Sequence, residues 1–412
     1  MPRKSPQIVG LDIGTTKVCV LIAEPSEAGR LHIIGIGSCP SRGIRKGVVV
    51  NLDACVASVK QAIEEAELMA GCAVERAFVG IAGPHVRGLN SRGVVAIAAR
   101  DREVTHEDVQ RVLEAAGAVN IPSGRDIIHV LPQEFSVDDH TGIHDPVGME
   151  GAKLEADVHL ITASVTAAQN LVNAVNRAGV EVEGMVLEQL AAAEGVLTQD
   201  EKEMGVALVD IGGGTTSLLI FENGAVRHMA VLPVGADNVT SDIAVGLRTP
   251  VPEAEKIKRR HGCALSSLVD HEDAIEVPSV GGRKSRVLSR QILCEIIQPR
   301  VEEIFGLIAE EFVRSGFDRS IHAGIVLTGG GAMLEGIVEI AEDALDAPVR
   351  LGIPGEEIGG LADPICTPMY STSVGLTLYG AEQRERPIPG GADPYFFSRM
   401  TDMVRGWLSE LF

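Results

Sequence analysis

One short pattern occurs twice in this 412-residue chain, and it constrains the fold more than any other feature. Residues 206–217 read VALVDIGGGTTS: an apolar run stops at Asp210 and turns at once into Gly212, Gly213 and Gly214, then Thr215 and Thr216. Val206, Leu208 and Val209 belong to a strand too apolar to have a wet face. Glycines carry no Cβ, so the turn can bring its N–H groups against an anion. The threonines add hydroxyl donors, and residues 218–221 carry the chain back as a second strand. A Walker loop would need a lysine and a helix after the glycines, and a dinucleotide fingerprint would also open a helix. The order strand, glycine turn, strand fits neither. One such turn is usually only a tight hairpin, but residues 8–24, IVGLDIGTTKVCVLIAE, repeat it, with Asp12, Gly14, Thr15 and Thr16 in the matching places. Two copies, one in each half, imply two like domains facing across a cleft. Each then offers a phosphate loop and one carboxylate, Asp12 or Asp210, to Mg2+, directly or through water. Lys17 follows the first Thr-Thr directly; it reads as a phosphate contact, the alternative being a surface lysine on a hairpin.

A third glycine loop, IVLTGGG at 325–331, is expected to lead into a helix over 333–345, which makes Gly329, Gly330 and Gly331 a backbone-approach site for the adenosine and its phosphates. Three such loops in order predict ATP as the ligand. A net charge of −21 argues against nucleic acid as the main partner, since a phosphate backbone would be repelled. Seven cysteines, odd in number and never spaced C-x-x-C, read as reduced core thiols of a cytoplasmic protein. The N-terminus shows no signal-peptide h-region, and no apolar run is long enough to span a bilayer.

In chain order, the 3.6-residue pattern predicts a helix over 53–70, with Val56, Val59, Ala62, Ile63 and Ala66 on one face. After Pro84 the character changes to short alternating segments, 94–98 and 127–131, around one helix at 105–118 with Thr105 and Asp108 as a capping box. Asp138, Asp139, His140, His144 and Asp145 read as a solvated turn rather than a metal site, given Gly142 and Pro146 among them. Helices follow at 166–178 and 187–197, the second with Glu188 ahead of a small-residue face. A helix over 250–262 places Glu255 and Lys258 on one face. Arg283, Lys284, Arg286, Arg290 and Arg300 stand against one acid, Glu295, in 281–300. That basic surface is either a solvated face or a dock for an acidic peptide.

The paired loops resemble the actin, Hsp70 and sugar-kinase superfamily. Across its length the chain further resembles the FtsA family of bacterial cell-division proteins, in GLDIGTTKV, LVDIGGGTTS, TSDIA, AEKIKRRHGCAL, PSVGGR and GIVLTGGGA. The resemblance implies an α/β, two-domain actin-like ATPase fold with an inserted α+β subdomain and a C-terminal amphipathic helix. Residues 1–84 and 158–204 would form the first domain, 85–157 the insertion, 205–244 and 301–382 the second domain, 245–300 a small subdomain, 383–394 a linker and 395–412 the terminal helix. It implies that Glu255 and Lys258 contact ribose and adenine, as an Ala-Glu-x-x-Lys helix does in actin-like proteins. Glu188 matches the glutamate that positions the attacking water in the bacterial actin MreB; Gln189 stands where MreB has proline, and the alternative is a helix-surface carboxylate, so at most slow hydrolysis is expected. The implied function is a tether at the cytoplasmic face of the inner membrane at the division site. It would bind the tail of the tubulin-like FtsZ through the basic surface, assemble with itself into filaments, and recruit later division proteins through the insertion. The competing reading is an ATP-dependent kinase of a small metabolite; a chaperone would need a substrate domain after Gly380.

Residues 395–412, YFFSRMTDMVRGWLSELF, place Phe396, Phe397, Met400, Met403, Val404, Trp407, Leu408, Leu411 and Phe412 at three- and four-residue steps. As a helix this segment would be about 27 Å long, but Arg399, Asp402, Arg405 and Glu410 on its other side forbid spanning, so it should lie in the lipid interface. The linker before it, QRERPIPGGADP, argues against a helix docked on its own domain.

Overall fold

The structure, a computed structural model, describes residues 7–26, 30–97, 102–317, 320–355 and 357–385. The repeated pattern folds as two hairpins, one at the centre of each of two sheets. In the first lobe Ile8–Ile13 (β1) turns into Lys17–Pro25 (β2), and Leu31–Pro40 (β3) follows antiparallel. A small hairpin, Ile44–Arg45 (β4) with Val48–Val49 (β5), precedes Leu52–Ala70 (α1) and Arg76–Ile81 (β6), which lies parallel to β1. Asn51 caps α1 by accepting from Ala54 N, and Gly71 ends it at φ 66°, a left-handed conformation that favours glycine. Its buried stripe of Cys55, Val59, Ala62, Ile63 and Ala66 packs on β3 and β2. Val59 and Ile63 each contribute about 1.5–3 kcal/mol by burial.

The insertion is Arg87–Ala96 (β7), His106–Gly117 (α2), Arg125–Val137 (β8), His140–Ile143 (β9) and Lys153–Ser164 (β10), a sheet in the order β7-β10-β8-β9 with α2 against it. The Thr105–Asp108 capping box forms. The strands are longer than the sequence pattern predicts, because β8 buries His129, Gln133 and Ser136 where an alternation argument expects solvent. The acidic turn behind β8 is structural: Asp138 adopts φ 53°, and its carboxylate accepts from Ala152 N and Lys153 N. Val165–Arg177 (α3), Glu181–Leu187 (β11), Glu188–Val196 (α4) and Gln199–Met204 (α5) then complete the first lobe.

The second lobe holds Val206–Ile211 (β12), Thr216–Glu222 (β13), Ala225–Leu232 (β14), Ala236–Gly246 (α6), Val251–His261 (α7), Ala274–Val277 (β15), Arg286–Ser289 (β16), Arg290–Ser315 (α8), Ile325–Thr328 (β17), Ile337–Leu345 (α9) and Val349–Leu351 (β18). Its sheet runs β14-β13-β12-β17-β18, with β17 parallel to β12. Ile358–Gly360 (β19) returns to the edge of the first sheet, ordered β11-β6-β1-β2-β3-β19, and Ser371–Glu385 (α10) packs on β1 and α4. The α4–α10 contact explains the run Ala191, Ala192, Ala193: a Cβ at Gly375 would stand 1.7 Å from the Ala191 carbonyl oxygen, so the helices meet backbone to backbone. One core joins the lobes, since Val206, Leu208, Leu219 and Phe221 of the second sheet pack with the first-lobe residues around α4.

Four expectations are corrected here. Residues 158–164, expected to resume the first domain, continue β10 in the sheet of the insertion, because they pair with β7 and β8 to the strand's end. Residues 358–382, expected in the second domain, return to the first lobe, where β19 pairs with β3 and α10 packs on β1 and α4. The third glycine loop does not open a long helix: a 3-10 turn, Gly330–Met333, follows it, Gly336 at φ 75° breaks the chain, and α9 starts only at Ile337. Residues 383–385, read as linker, are the last turn of α10, where Arg384 pairs with Glu183 at 2.6 Å and donates to Gln7 O. A charged run next to proline and glycine looks like a linker by composition, but here its charge closes a helix end onto β1 and β11. Residues 386–394 and the amphipathic segment 395–412, with Phe396, Phe397, Met400, Met403, Val404, Trp407, Leu408, Leu411 and Phe412, lie outside the described residues.

Candidate active site: a cleft between two glycine turns

A cleft of about 1030 Å³ opens between the lobes, and both turns line it. They are superposable in their bonding: Gly14 N donates to Lys17 O and Gly212 N to Thr215 O, each at 2.9 Å. Register repeats too, with Asp12 opposite Cys19 and Asp210 opposite Ser217. The tips touch across the cleft, where a Cβ at Gly213 would lie 2.4 Å from Thr16 Cγ2 and one at Gly214 would lie 3.0 Å from both Thr15 Oγ1 and Lys46 Cα. Lys46, from the β4–β5 turn, completes the bridge by donating to Pro233 O at 2.7 Å. Gly329 is required as glycine, at φ 84°, because a Cβ there would fall 2.1 Å from Asp210 Oδ1. Of the residues singled out for ATP, Asp12, Gly14, Thr15, Thr16, Lys17, Asp210, Gly212, Gly213, Thr215, Glu255, Lys258, Gly329, Gly330 and Gly331 line this cleft, with Glu188. Gly214 and Thr216 do not: Gly214 packs against Thr15 and Lys46, and Thr216 is buried on β13, its hydroxyl without a hydrogen-bond partner among the described residues.

Charged groups of both signs meet in the cleft. Asp12 is buried and accepts from Ser373 Oγ at 3.2 Å. Lys17 Nζ lies 3.6 Å from Asp12, donates to Met369 O at 2.7 Å, and sits 4.2 Å above the Tyr370 ring. Burial, then the charge of Asp12, pushes the half-buried Asp210 up to about 6. Glu188 is raised well above the usual carboxylate range by burial, then by Asp12 and Asp210. Gly80 of β6 makes room for it, since a Cβ there would lie 2.9 Å from Glu188 Cγ. Carboxylates whose charge is disfavoured this way are relieved by a divalent ion. Among the described residues no three His, Cys, Asp or Glu side chains converge on one metal position. An ion between Asp12 and Asp210 would therefore be completed by phosphate and water, which is the habit of Mg2+.

At the other end, Lys258 Nζ donates to Ala236 O at 3.1 Å and Thr240 Oγ1 at 2.8 Å and pairs with Glu255 at 2.7 Å. Burial works to raise Glu255, but Lys258 and Thr240 outweigh it and hold the carboxyl below its ordinary range. Ser373, Met369 and Tyr370 are site residues that sequence reasoning missed. Met369 and Tyr370 stand just before α10 and Ser373 in its first turn, 352 residues along the chain from Lys17 to Met369 and 361 from Asp12 to Ser373; the one local signal is the small-residue run Ser371–Thr372–Ser373 ahead of Gly375.

The five basic residues do not form one free surface. Arg290 donates to His261 O and pairs with Asp273 and Glu335, and Arg300 pairs with Asp242 at 2.6 Å and with Glu303. Arg286 donates to Ser279 Oγ and Leu247 O. Arg283 and Lys284 are exposed, as are Val245, Val280, Val287 and Ile292 of the same subdomain.

Two lobes with matching hairpins around one cleft define an actin-like ATPase fold. Chains of similar fold include one of a PilM-PilN type IV pilus biogenesis complex (TM-score 0.65, 17% identity, 91% of this chain and 98% of that one) and MreB 5 of Spiroplasma citri bound to AMPPNP (0.55, 16%, 93% and 98%). Residues 207–375 match the family described as Cell division protein FtsA, and 83–162 the SHS2 domain inserted in FTSA. Cell division protein FtsA of Pseudomonas aeruginosa is 53% identical over 93% of this chain and 91% of its own length; that of Escherichia coli K12 is 43% identical over 98% and 96%. The chain belongs to the FtsA family of cell division proteins.

Proposed function

We propose that the chain is an ATP-binding tether of the division ring, holding FtsZ filaments at the inner membrane and recruiting later division proteins. The observation that carries the nucleotide half is the pair of like turns presenting Asp12 and Asp210 to one cleft. The phosphates lie between the turns with Lys17 beside them, Glu255 and Lys258 hold the ribose and adenine, and Gly329, Gly330 and Gly331 pass beneath the adenosine. Bound Mg2+ supplies charge neutralisation for the phosphates and for the two aspartates. Glu188 orients a water toward the terminal phosphate, and hydrolysis is slow and secondary to binding. Arg283, Lys284 and Arg286, flanked by the exposed Val287 and Val245, receive the acidic FtsZ tail. The segment 395–412 lies in the membrane interface. The deciding experiment for the cleft is calorimetry with ATP and Mg2+. Asp210→Ala should weaken Mg2+-dependent ATP binding at least about tenfold, and equal affinity in parent and variant would remove the assignment.

A further inference from the structure

A side chain of the inserted subdomain bonds the backbone directly before the cleft glutamate. His129 lies on β8 and is fully buried, and its Nε2 accepts the backbone N–H of Leu187 at 3.0 Å. Leu187 is the residue at the N-cap of α4, a helix that starts without a side-chain cap, and Glu188 is its first residue. Burial pulls His129 down to about 4, so the ring is neutral and Nε2 is free to accept. The proton then resides on Nδ1, which has no hydrogen-bond partner among the described residues. A buried orphan donor is costly, so a leucine or methionine would pack here at less cost if filling space were the whole task. The same strand carries Gln133, whose Nε2 donates to Val226 O on β14 of the second lobe at 2.7 Å. One strand of the insertion thus holds a backbone group in each lobe, and the first-lobe group is the peptide N–H directly before the cleft glutamate.

We infer that His129 is a positioning residue: by accepting the Leu187 N–H it fixes the start of α4, and so sets where the Glu188 carboxylate stands in the cleft. It touches neither nucleotide nor metal, and it makes Glu188 answerable to movements of the inserted subdomain. This rests on the reading of the cleft as an ATP site with Glu188 orienting water. The test is single-turnover ATP hydrolysis together with Mg2+–ATP affinity in the full chain, for His129→Leu, His129→Gln, Glu188→Gln and the double variant His129→Leu/Glu188→Gln. Met replaces Leu if the leucine variant does not fold, since it fills the ring's volume without an acceptor.

His129→Leu should slow hydrolysis at least about fivefold while affinity stays within about twofold, as expected when only the orientation of a water-directing group is lost. His129→Gln, which keeps an acceptor, should recover most of the rate. The double variant should be no slower than Glu188→Gln alone, because the two substitutions act on one group. An unchanged rate in His129→Leu, no recovery with Gln, or effects that multiply in the double variant would each overturn the inference. If the parent binds Mg2+–ATP but does not turn it over, the inference falls and the binding site stands; if it binds no ATP, both fall.

Discussion

Asp210 carries both a charge disfavoured by burial and the proposed contact to the metal ion. Burial and Asp12 raise it from an ordinary 3.8 to about 6, so without ligand the fold disfavours its charge. The sign follows from linkage: a carboxyl raised on folding leaves stability untouched below the unfolded value and removes it as pH rises through about 6. That gap corresponds to at most about 3 kcal/mol, and to less because the group is reachable from the cleft. Asp210→Asn should therefore melt higher than the parent at pH 8 in the absence of nucleotide, with the difference vanishing toward pH 4. With Mg2+ and ATP the order should reverse, because the parent gains ligand stabilisation that the amide cannot support. Thermal melts at the two pH values, with and without Mg2+–ATP, check both halves; an asparagine variant that melts alike at every pH would show that Asp210 bears no disfavoured charge.

At the scale of elements, α4 meets α10 backbone to backbone. Gly375→Ala places a methyl against the Ala191 carbonyl, an atom that cannot move without shifting α4. It should cost on the order of 3 kcal/mol, the upper range of overpacking, and should weaken nucleotide binding as well, since Ser373 and Glu188 sit on these two helices. Denaturant unfolding reads the first effect, and an unchanged midpoint would mean that the seam relaxes. The basic stretch that runs into α8 makes a different prediction. Arg290 and Arg300 are held in internal ion pairs, so their reversal would disturb the fold rather than report on a partner. Reversing the exposed pair Arg283 and Lys284 to glutamate should weaken an acidic FtsZ tail peptide about tenfold at low salt, with a shallower salt dependence in what remains. Affinity indifferent to both would leave this face merely solvated.

The repeated Asp-Ile-Gly turns were legible because each is a local bond pattern, and a strand, a glycine turn and a strand need no distant partner to be recognised. The Thr105–Asp108 cap and the buried stripe of α1 were legible for the same reason. What sequence reasoning missed is long-range. Ser373 meets Asp12 only because α10 crosses β1, and Arg384 belongs to a helix only because Gln7 and Glu183 wait at its end. The extent of β8 was hidden because polar residues on it are buried by other elements rather than by solvent-facing alternation.

For the whole molecule, family membership states that this is a cell division protein; the proposed tether requires in addition that the two-lobed body be held to lipid. The terminal segment carries two arginines against two acids, so burial of its large apolar side chains, at roughly 1.5–3 kcal/mol each when complete, must outweigh charge. Attachment should then depend little on salt, and Trp407→Glu should abolish it while ATP binding persists. The most direct measurement is cosedimentation of FtsZ filaments with vesicles of mixed neutral and anionic lipid, in Mg2+ and ATP, with the full chain, the Trp407→Glu variant, or no addition. FtsZ should pellet with vesicles only when the full chain is present. FtsZ that pellets equally with Trp407→Glu, or not at all with the full chain, would contradict the tether.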